Sequence, residues 1–463
     1  MNERVLFVTV SRGGTARNIL KTDVLRVLRA SGLRLVVLTP AWNDPRFLAE
    51  FSAPGVTFAP LSEPRWSWLD GLLVGLHKAL VYNASTEMRD RYGIYDPKEA
   101  NTARYWAKRI VFRPLRTIGW LKEAARALDA ALVRDRTYGD LFARYDPVAV
   151  FCTSIMEDMD VSVAKQARQR GVPIIGMPKS WDNLSKMSVR VKPDRMAVWA
   201  PYSREEARTF QNMRDADVVE TGIPQFDAYR DERLVVPRAE FLRGLGLDPA
   251  KKVIVYASEG KIAKHDPDIV DMLLKGIRSG GFGAPAQLFI RPHFIYKGDA
   301  QKFSRFASDP DVRIDATYAP SAGFRDQWDY SDAQIRHMAN LLRHCDLLIT
   351  SNSTLTLDAA AFDKPVINVA FDGYARKPFG DSIAKWYTTE YYRRVVASGA
   401  PWMVRSEQGL HEAVAAFLAD PSLRARERAS LVRFFCGTVD GKSGERLGRA
   451  VAAFALGRYP ASV

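Results

Sequence analysis

A chain of 463 residues is too long for one compact core and calls for two or three domains. Its 47% hydrophobic and 26% charged residues sit at globular averages, which excludes disordered, collagen-like and mucin-like classes. Lys and Arg number 67 against 53 Asp and Glu, and the net charge of +14 points to a polyanionic or phosphorylated partner or to an anionic membrane face.

The first segment, residues 5–10, is a short β-branched run and predicts a strand rather than a signal peptide. Residues 22–31 predict a helix with Val24, Leu25, Val27 and Leu28 inward, and residues 33–38 the next strand, together a βαβ unit with parallel strands. Residues 62–143 break this rhythm with a helical, aromatic and basic insertion. Alternation resumes with a strand at 148–152, a helix at 161–170 and a strand at 172–177. A strand at 198–200, a helix at 203–212 and Val218-Val219 extend it. After a polar passage at 227–250, a second series has strands at 252–257, 287–290, 347–349 and 365–369. Helices at 269–277, 335–343 and 355–362 separate those strands, and 410–456 reads as mostly helical. The expected fold class is α/β: two Rossmann-like domains facing a cleft, with the helical insertion in the first. The expected divisions are 1–235, 250–440, and a C-terminal helix in 441–463 returning to the first domain.

Cys152, Cys345 and Cys436 are too few and too scattered for a disulfide framework or a zinc cluster. No run of about 18 apolar residues occurs. A cytoplasmic chain is expected, with peripheral attachment to the inner membrane face left open. In the insertion, Arg104, Lys108, Arg109, Arg113, Arg116, Lys122 and Arg126 alternate with Trp106, Ile110, Phe112, Leu115 and Trp120. That pattern suits a lipid headgroup interface, and equally a helix packed on the sheet with a solvated basic face. Nucleic acid is not expected, because no nucleic-acid-binding motif accompanies the charge.

The sharpest local signal is Thr350-Ser351-Asn352-Ser353-Thr354, which follows a buried strand and opens a helix, with Asp363-Lys364-Pro365-Val366 beyond it. Hydroxyls, free N–H groups and the positive end of the helix dipole suit an anion there, although such residues also serve as plain N-caps. Arg291 and His293 end another buried strand and supply a donor fork and an imidazole. Glu259 and Gly260 follow a third. In the first half, Arg12, Gly13, Gly14, Arg17 and Asn18 follow the opening strand. The glycine pair lacks the acidic partner of a dinucleotide site, since Thr39-Pro40-Ala41 follows the second strand. Glu157 and Asp158 in one loop, and Asp182 beside Trp181 in another, are candidate general bases. The scattered Asp-x-Asp pairs receive no metal role.

The stretch from about 250 to 450 resembles the donor domain of GT-B glycosyltransferases. Its Ser-x-Ser…Lys-Pro element resembles that of bacterial envelope transferases, including CDP-glycerol glycerophosphotransferases and capsule sialyl- or Kdo-transferases. Asp440-Gly441-Lys442-Ser443 with Arg446 resembles their closing segment. The resemblance implies transfer of a sugar or polyol phosphate from a nucleotide-sugar or similar activated donor to a polysaccharide or lipid-linked acceptor. It implies that Arg291, His293, Ser351, Asn352, Ser353, Thr354, Glu259 and Gly260 form the donor side. Arg12, Gly13, Gly14, Arg17, Asn18 and Trp181 then form the acceptor side, and one of Asp182, Glu157 or Asp158 is the base. No metal and no cofactor is expected beyond the nucleotide-activated donor. The alternatives are a UDP-sugar 2-epimerase-like isomerase and a non-catalytic nucleotide-binding assembly subunit.

Overall fold

A computed structural model describes residues 3–458 apart from 297 and 322. Thirteen strands among the described residues form two all-parallel sheets. The first sheet contains β1 (Val5–Thr9), β2 (Arg34–Thr39), β3 (Val56–Pro60), β4 (Ala149–Cys152), β5 (Ile174–Gly176), β6 (Arg195–Val198) and β7 (Val218–Glu220), in the order β3-β2-β1-β4-β5-β6-β7. The second contains β8 (Lys252–Ala257), β9 (Ala286–Arg291), β10 (Val312–Ile314), β11 (Leu347–Thr350), β12 (Val366–Val369) and β13 (Trp402–Val404), in the order β10-β9-β8-β11-β12-β13. Central strands such as β1 and β11 are buried along their whole length, as parallel strands covered by helices on both faces must be. In both sheets the order reverses beside the first strand, at β1–β4 and at β8–β11. Such reversals leave a crevice at the carboxyl ends of the strands.

The architecture is therefore the two-domain α/β arrangement expected from the sequence. Some boundaries differ. A helix not assigned from the sequence begins directly at Gly13 and runs to Leu20, and β6 lies at 195–198 rather than 198–200. The strands β3, β10 and β13 were not anticipated, and all three are sheet edges.

The insertion is held by charge as well as by apolar packing. The helix Trp68–Leu80 starts with a capping box in which Ser67 and Asp70 bond reciprocally. Asp129, on the helix Gly119–Leu132, accepts hydrogen bonds from His77 (3.1 Å), Lys165 (2.6 Å) and Arg190 (2.8 and 3.0 Å). Arg190 also reaches Asp70 at 3.2 Å and lies over the Trp66 ring. Burial would raise the Asp129 pKa, but these donors hold it well below the ordinary carboxylate range. The basic face expected at 104–126 is divided. Lys122 and Arg126 are buried, donating to the carbonyls of Thr209, Val189 and Gln211, whereas Arg104 and Arg113 are exposed.

The last described helix, Ser443–Ala455, packs on the helix Asp23–Ala30 of the first half. Gly448 permits that approach, since a Cβ there would lie 2.8 Å from the Val27 Cβ. Its amino end is held by Asp227, which accepts from the N–H groups of Ser443 (2.9 Å) and Gly444 (2.7 Å).

Candidate active site

A cavity of about 820 Å³ opens between the carboxyl edges of the two sheets. From the first half it is lined by Gly14, Arg17, Asn18, Lys179, Ser180 and Trp181. From the second it receives Glu259, Arg291, His293, Ser353, Thr354 and Asp358. The turn at 224–234 and the segment Asp440, Gly441 and Lys442 close one side.

Of the donor-side residues, Arg291, His293, Glu259, Ser353 and Thr354 sit at or just beyond the ends of buried strands and line the cavity, whereas Gly260 does not. Arg291 is the last residue of β9; its Nε lies 3.1 Å from the Met338 sulfur and 3.9 Å from Asp315. His293 Nδ1 is buried with no hydrogen-bond partner, and its ring packs between Phe294 and Tyr296. Burial, aided by Arg291, pushes its pKa down to about 4, so at neutral pH the imidazole is uncharged. Glu259 follows β8, and burial pushes its pKa up to about 7. Gly260 has φ +62°, and a Cβ there would lie 1.9 Å from the Tyr296 ring, so only glycine fits beside that aromatic. Ser353 is buried and its Oγ accepts from the Leu355 N–H at 3.3 Å; Thr354 is the residue before the helix Leu355–Ala361.

Ser351 and Asn352 lie outside the cavity lining. The Ser351 carbonyl accepts from Asn368 (2.8 Å) and Tyr392 (3.2 Å), which makes the residue part of the loop's support. Asn352 Oδ1 is buried without a partner.

The three candidate bases are dispersed. Glu157 is gripped by Arg12 (2.8 Å) and Lys179; burial would raise its pKa, but those cations bring it below the ordinary value. Asp158 is exposed at the start of the helix Asp158–Gln169, outside the cavity. Asp182 adjoins the lining segment 179–181 and pairs with Lys186; burial opposes ionisation there, but Lys186 prevails and the pKa is lowered. On the acceptor side, Arg12 is committed to Glu157 and lies off the cavity. The Gly13 and Gly14 N–H groups donate to Asp326 at 3.0 and 3.4 Å, from a loop of the second half. Trp181, read from the sequence as lining a binding surface, stands in the cavity wall; it is 6% exposed, donates its indole N–H to the Phe435 carbonyl (2.8 Å) and packs edge-on to Trp199. It therefore gives the cavity apolar surface and no hydrogen bond.

Four cleft residues were not singled out from the sequence. Tyr229 donates its hydroxyl proton to Asp358, Trp328 lies under Arg17, and Asp326 caps the glycine pair. Burial raises the Asp358 pKa, against the pull of Tyr229, Arg17 and Arg291. The only advance signal was Asp358 itself, four residues after Thr354 and hence near the same helix end. Among the described residues no group of three or more His, Cys, Asp or Glu side chains could hold a metal ion, and no helix is long and apolar enough to cross a membrane.

A family model described as CDP-glycerol:poly(glycerophosphate) glycerophosphotransferase matches residues 178–453, more than half the chain. No curated protein matches it. Several solved structures are similar throughout. A protein described as a UDP-N-acetylglucosamine 2-epimerase from Listeria monocytogenes is 11% identical with TM-score 0.58, the match covering 99% of this chain and 98% of that one. A glycosyltransferase from Rickettsia africae is 9% identical with TM-score 0.53, covering 99% of this chain and 100% of that one. The wall teichoic acid polymerase TagF, from a crystal soaked with CDPG, is 13% identical with TM-score 0.51, covering 98% and 89%. These likenesses show the fold, which transferases and epimerases share.

Proposed function

The chain belongs to the CDP-glycerol:poly(glycerophosphate) glycerophosphotransferase family and is a nucleotide-donor transferase; from that premise we propose that its interdomain cleft moves a polyol phosphate or sugar onto a cell-surface polysaccharide or lipid-linked acceptor. One observation carries this reading: Arg291, His293, Ser353, Thr354 and Glu259 all meet at the carboxyl edge of one sheet, in a single cavity facing the other sheet. A guanidinium, a neutral imidazole and hydroxyls suit the phosphates of a departing nucleotide, where negative charge builds during transfer. In a buried site such donors act strongly, because little water competes with them.

Asp182 is the proposed base, since it directly follows the cavity-lining residues 179–181 and, unlike Glu157, is paired with one cation rather than two. It would take the acceptor proton after Lys186 swings away. The cationic side chains would supply the charge stabilisation, and the reaction would then run without a resident metal. Chelation with EDTA should leave turnover unchanged, and loss of activity restored by Mg²⁺ would contradict that part.

An anionic membrane is the proposed docking surface. Trp68 is 78% exposed, Ile110 69% and Trp120 68%, with Leu72 and Trp106 also exposed, on the helix Trp68–Leu80 and on two helices of the insertion that each pack against it, with Arg104 and Arg113 exposed on one of them. Amphipathic residues over basic ones fit a headgroup layer. The chain should co-sediment with vesicles containing anionic lipid and be released by salt. Equal recovery in the supernatant with every vesicle would leave the insertion a packing element only.

The activity test is direct. CDP-glycerol and other nucleotide-activated donors are each incubated with and without a polyol-phosphate or glycan acceptor. Nucleotide release that requires both partners is expected. Conversion of UDP-N-acetylglucosamine with no acceptor present would instead favour the isomerase.

A further inference from the structure

One cation in the cleft is not accounted for by the acceptor side. Arg17 lies on the helix Gly13–Leu20 and lines the cavity, half-buried. Its Nε donates to Asn18 Oδ1 at 3.1 Å, and its guanidinium carbon sits 4.9 Å above the Trp328 ring. Among the described residues no carboxylate forms an ion pair with it. The two carboxylates whose charge reaches it are engaged elsewhere: Asp326 with the N–H groups of Gly13 and Gly14, Asp358 with the Tyr229 hydroxyl. Arg291 lines the same cavity from the other sheet, and its one carboxylate contact, Asp315 at 3.9 Å, is already held by His337 at 3.1 Å. Burial disfavours the charge on both guanidiniums, and the Arg291 charge disfavours that on Arg17 further.

Two under-compensated guanidiniums set from opposite walls into one cavity are an unfavourable arrangement unless an anion completes it. A diphosphate matches in charge, and its oxygens match two planar donor forks. We propose that Arg17 is a second donor-phosphate ligand, reaching from the acceptor-side half to the diphosphate that Arg291 holds from the other. The proposal rests on the donor reading of the cleft and deepens it. The donor then bridges both halves, and the leaving group's charge is met by one guanidinium from each. Trp328 is a positioning residue: stacking fixes the plane of the Arg17 fork.

Inorganic pyrophosphate is the probe, because it fills a diphosphate subsite whatever the nucleotide base. Titration calorimetry on the full chain should show Arg17→Ala weakening pyrophosphate binding at least tenfold. Arg17→Lys should recover part of that loss, since it keeps the charge but not the fork, and it guards against a folding defect in the alanine variant. Arg208→Ala removes an exposed guanidinium outside the cavity and should bind as the wild type does. Wild-type affinity in Arg17→Ala, with Arg291→Ala still impaired, would overturn the clamp and leave the donor site standing. If the wild type bound neither pyrophosphate nor any nucleoside diphosphate, the clamp and the donor reading would fall together.

Discussion

Desolvation moves the cleft's titrating groups in opposite directions, and each shift has a kinetic consequence. His293, pushed down to about 4, works as a neutral hydrogen-bonding group across the physiological range. His293→Ala and Ser353→Ala should each lower turnover by about a hundredfold while circular dichroism and melting stay near wild type; undiminished rates in both would remove these residues from the phosphate site. Glu259, pushed up to about 7, is neutral below that pH and anionic above it. Its charge would repel donor phosphates, so the donor KM should rise as pH climbs through about 7, and Glu259→Gln should flatten that limb. A KM profile identical in the variant would assign the limb to another group. Arg291, His293, Glu259 and Ser353 were legible because each lies at, or within three residues of, the end of a buried strand, where side chains leave the sheet. Tyr229, in the 3₁₀ helix Pro224–Arg230, and Asp326 and Trp328, in an irregular segment, were not, because their partners are far away in sequence: Tyr229 meets Asp358, Asp326 meets Gly13, and Trp328 meets Arg17. Trp181 shows the same limit, since no local pattern announces an indole bonded to Phe435.

At the scale of elements, the insertion depends on its buried ion cluster more than on helix propensity. Removing one partner of a buried, hydrogen-bonded charge group leaves the others uncompensated, at a cost of about 3–5 kcal/mol. Asp129→Ala should destabilise the chain by that order, with proteolysis beginning within 62–143 before the sheets open. A loss below about 1 kcal/mol would mean that apolar packing alone holds these helices. The central strands were readable from continuous β-branched runs. The edge strands β3, β10 and β13 escaped because they are only partly buried, so neither a solid apolar run nor a sustained alternation marks them. The insertion's helical character was equally plain, but which of its cations face inward was not. Lys122 and Arg126 find backbone carbonyls at 189, 209 and 211, which only the folded chain supplies.

Across the whole molecule, the two halves are joined by an aromatic seam in which Tyr202 packs on Tyr391 and Phe435. Glu206 lies in that seam and accepts from the Tyr202 hydroxyl. Burial, with Glu390 and Asp182 adding repulsion, pushes its pKa up to about 8 from the usual 4.5. The folded chain thus holds this proton more tightly than the unfolded chain does. The contribution to stability is present in full below the unfolded value and is lost as pH rises through about 8. Glu206→Gln should therefore melt with a flatter pH dependence between about 5 and 8, and higher than the wild type above 8; parallel curves would place the titrating group elsewhere. The cleft between the same two halves is where the functional account places the donor. That account is tested most directly by crystals of the full chain soaked in turn with CDP, UDP, GDP and ADP. It predicts a bound diphosphate within hydrogen-bonding reach of Arg291, His293 and Ser353, in the gap between the two sheets. A diphosphate bound elsewhere, or that gap still unfilled at saturating nucleotide, would contradict it.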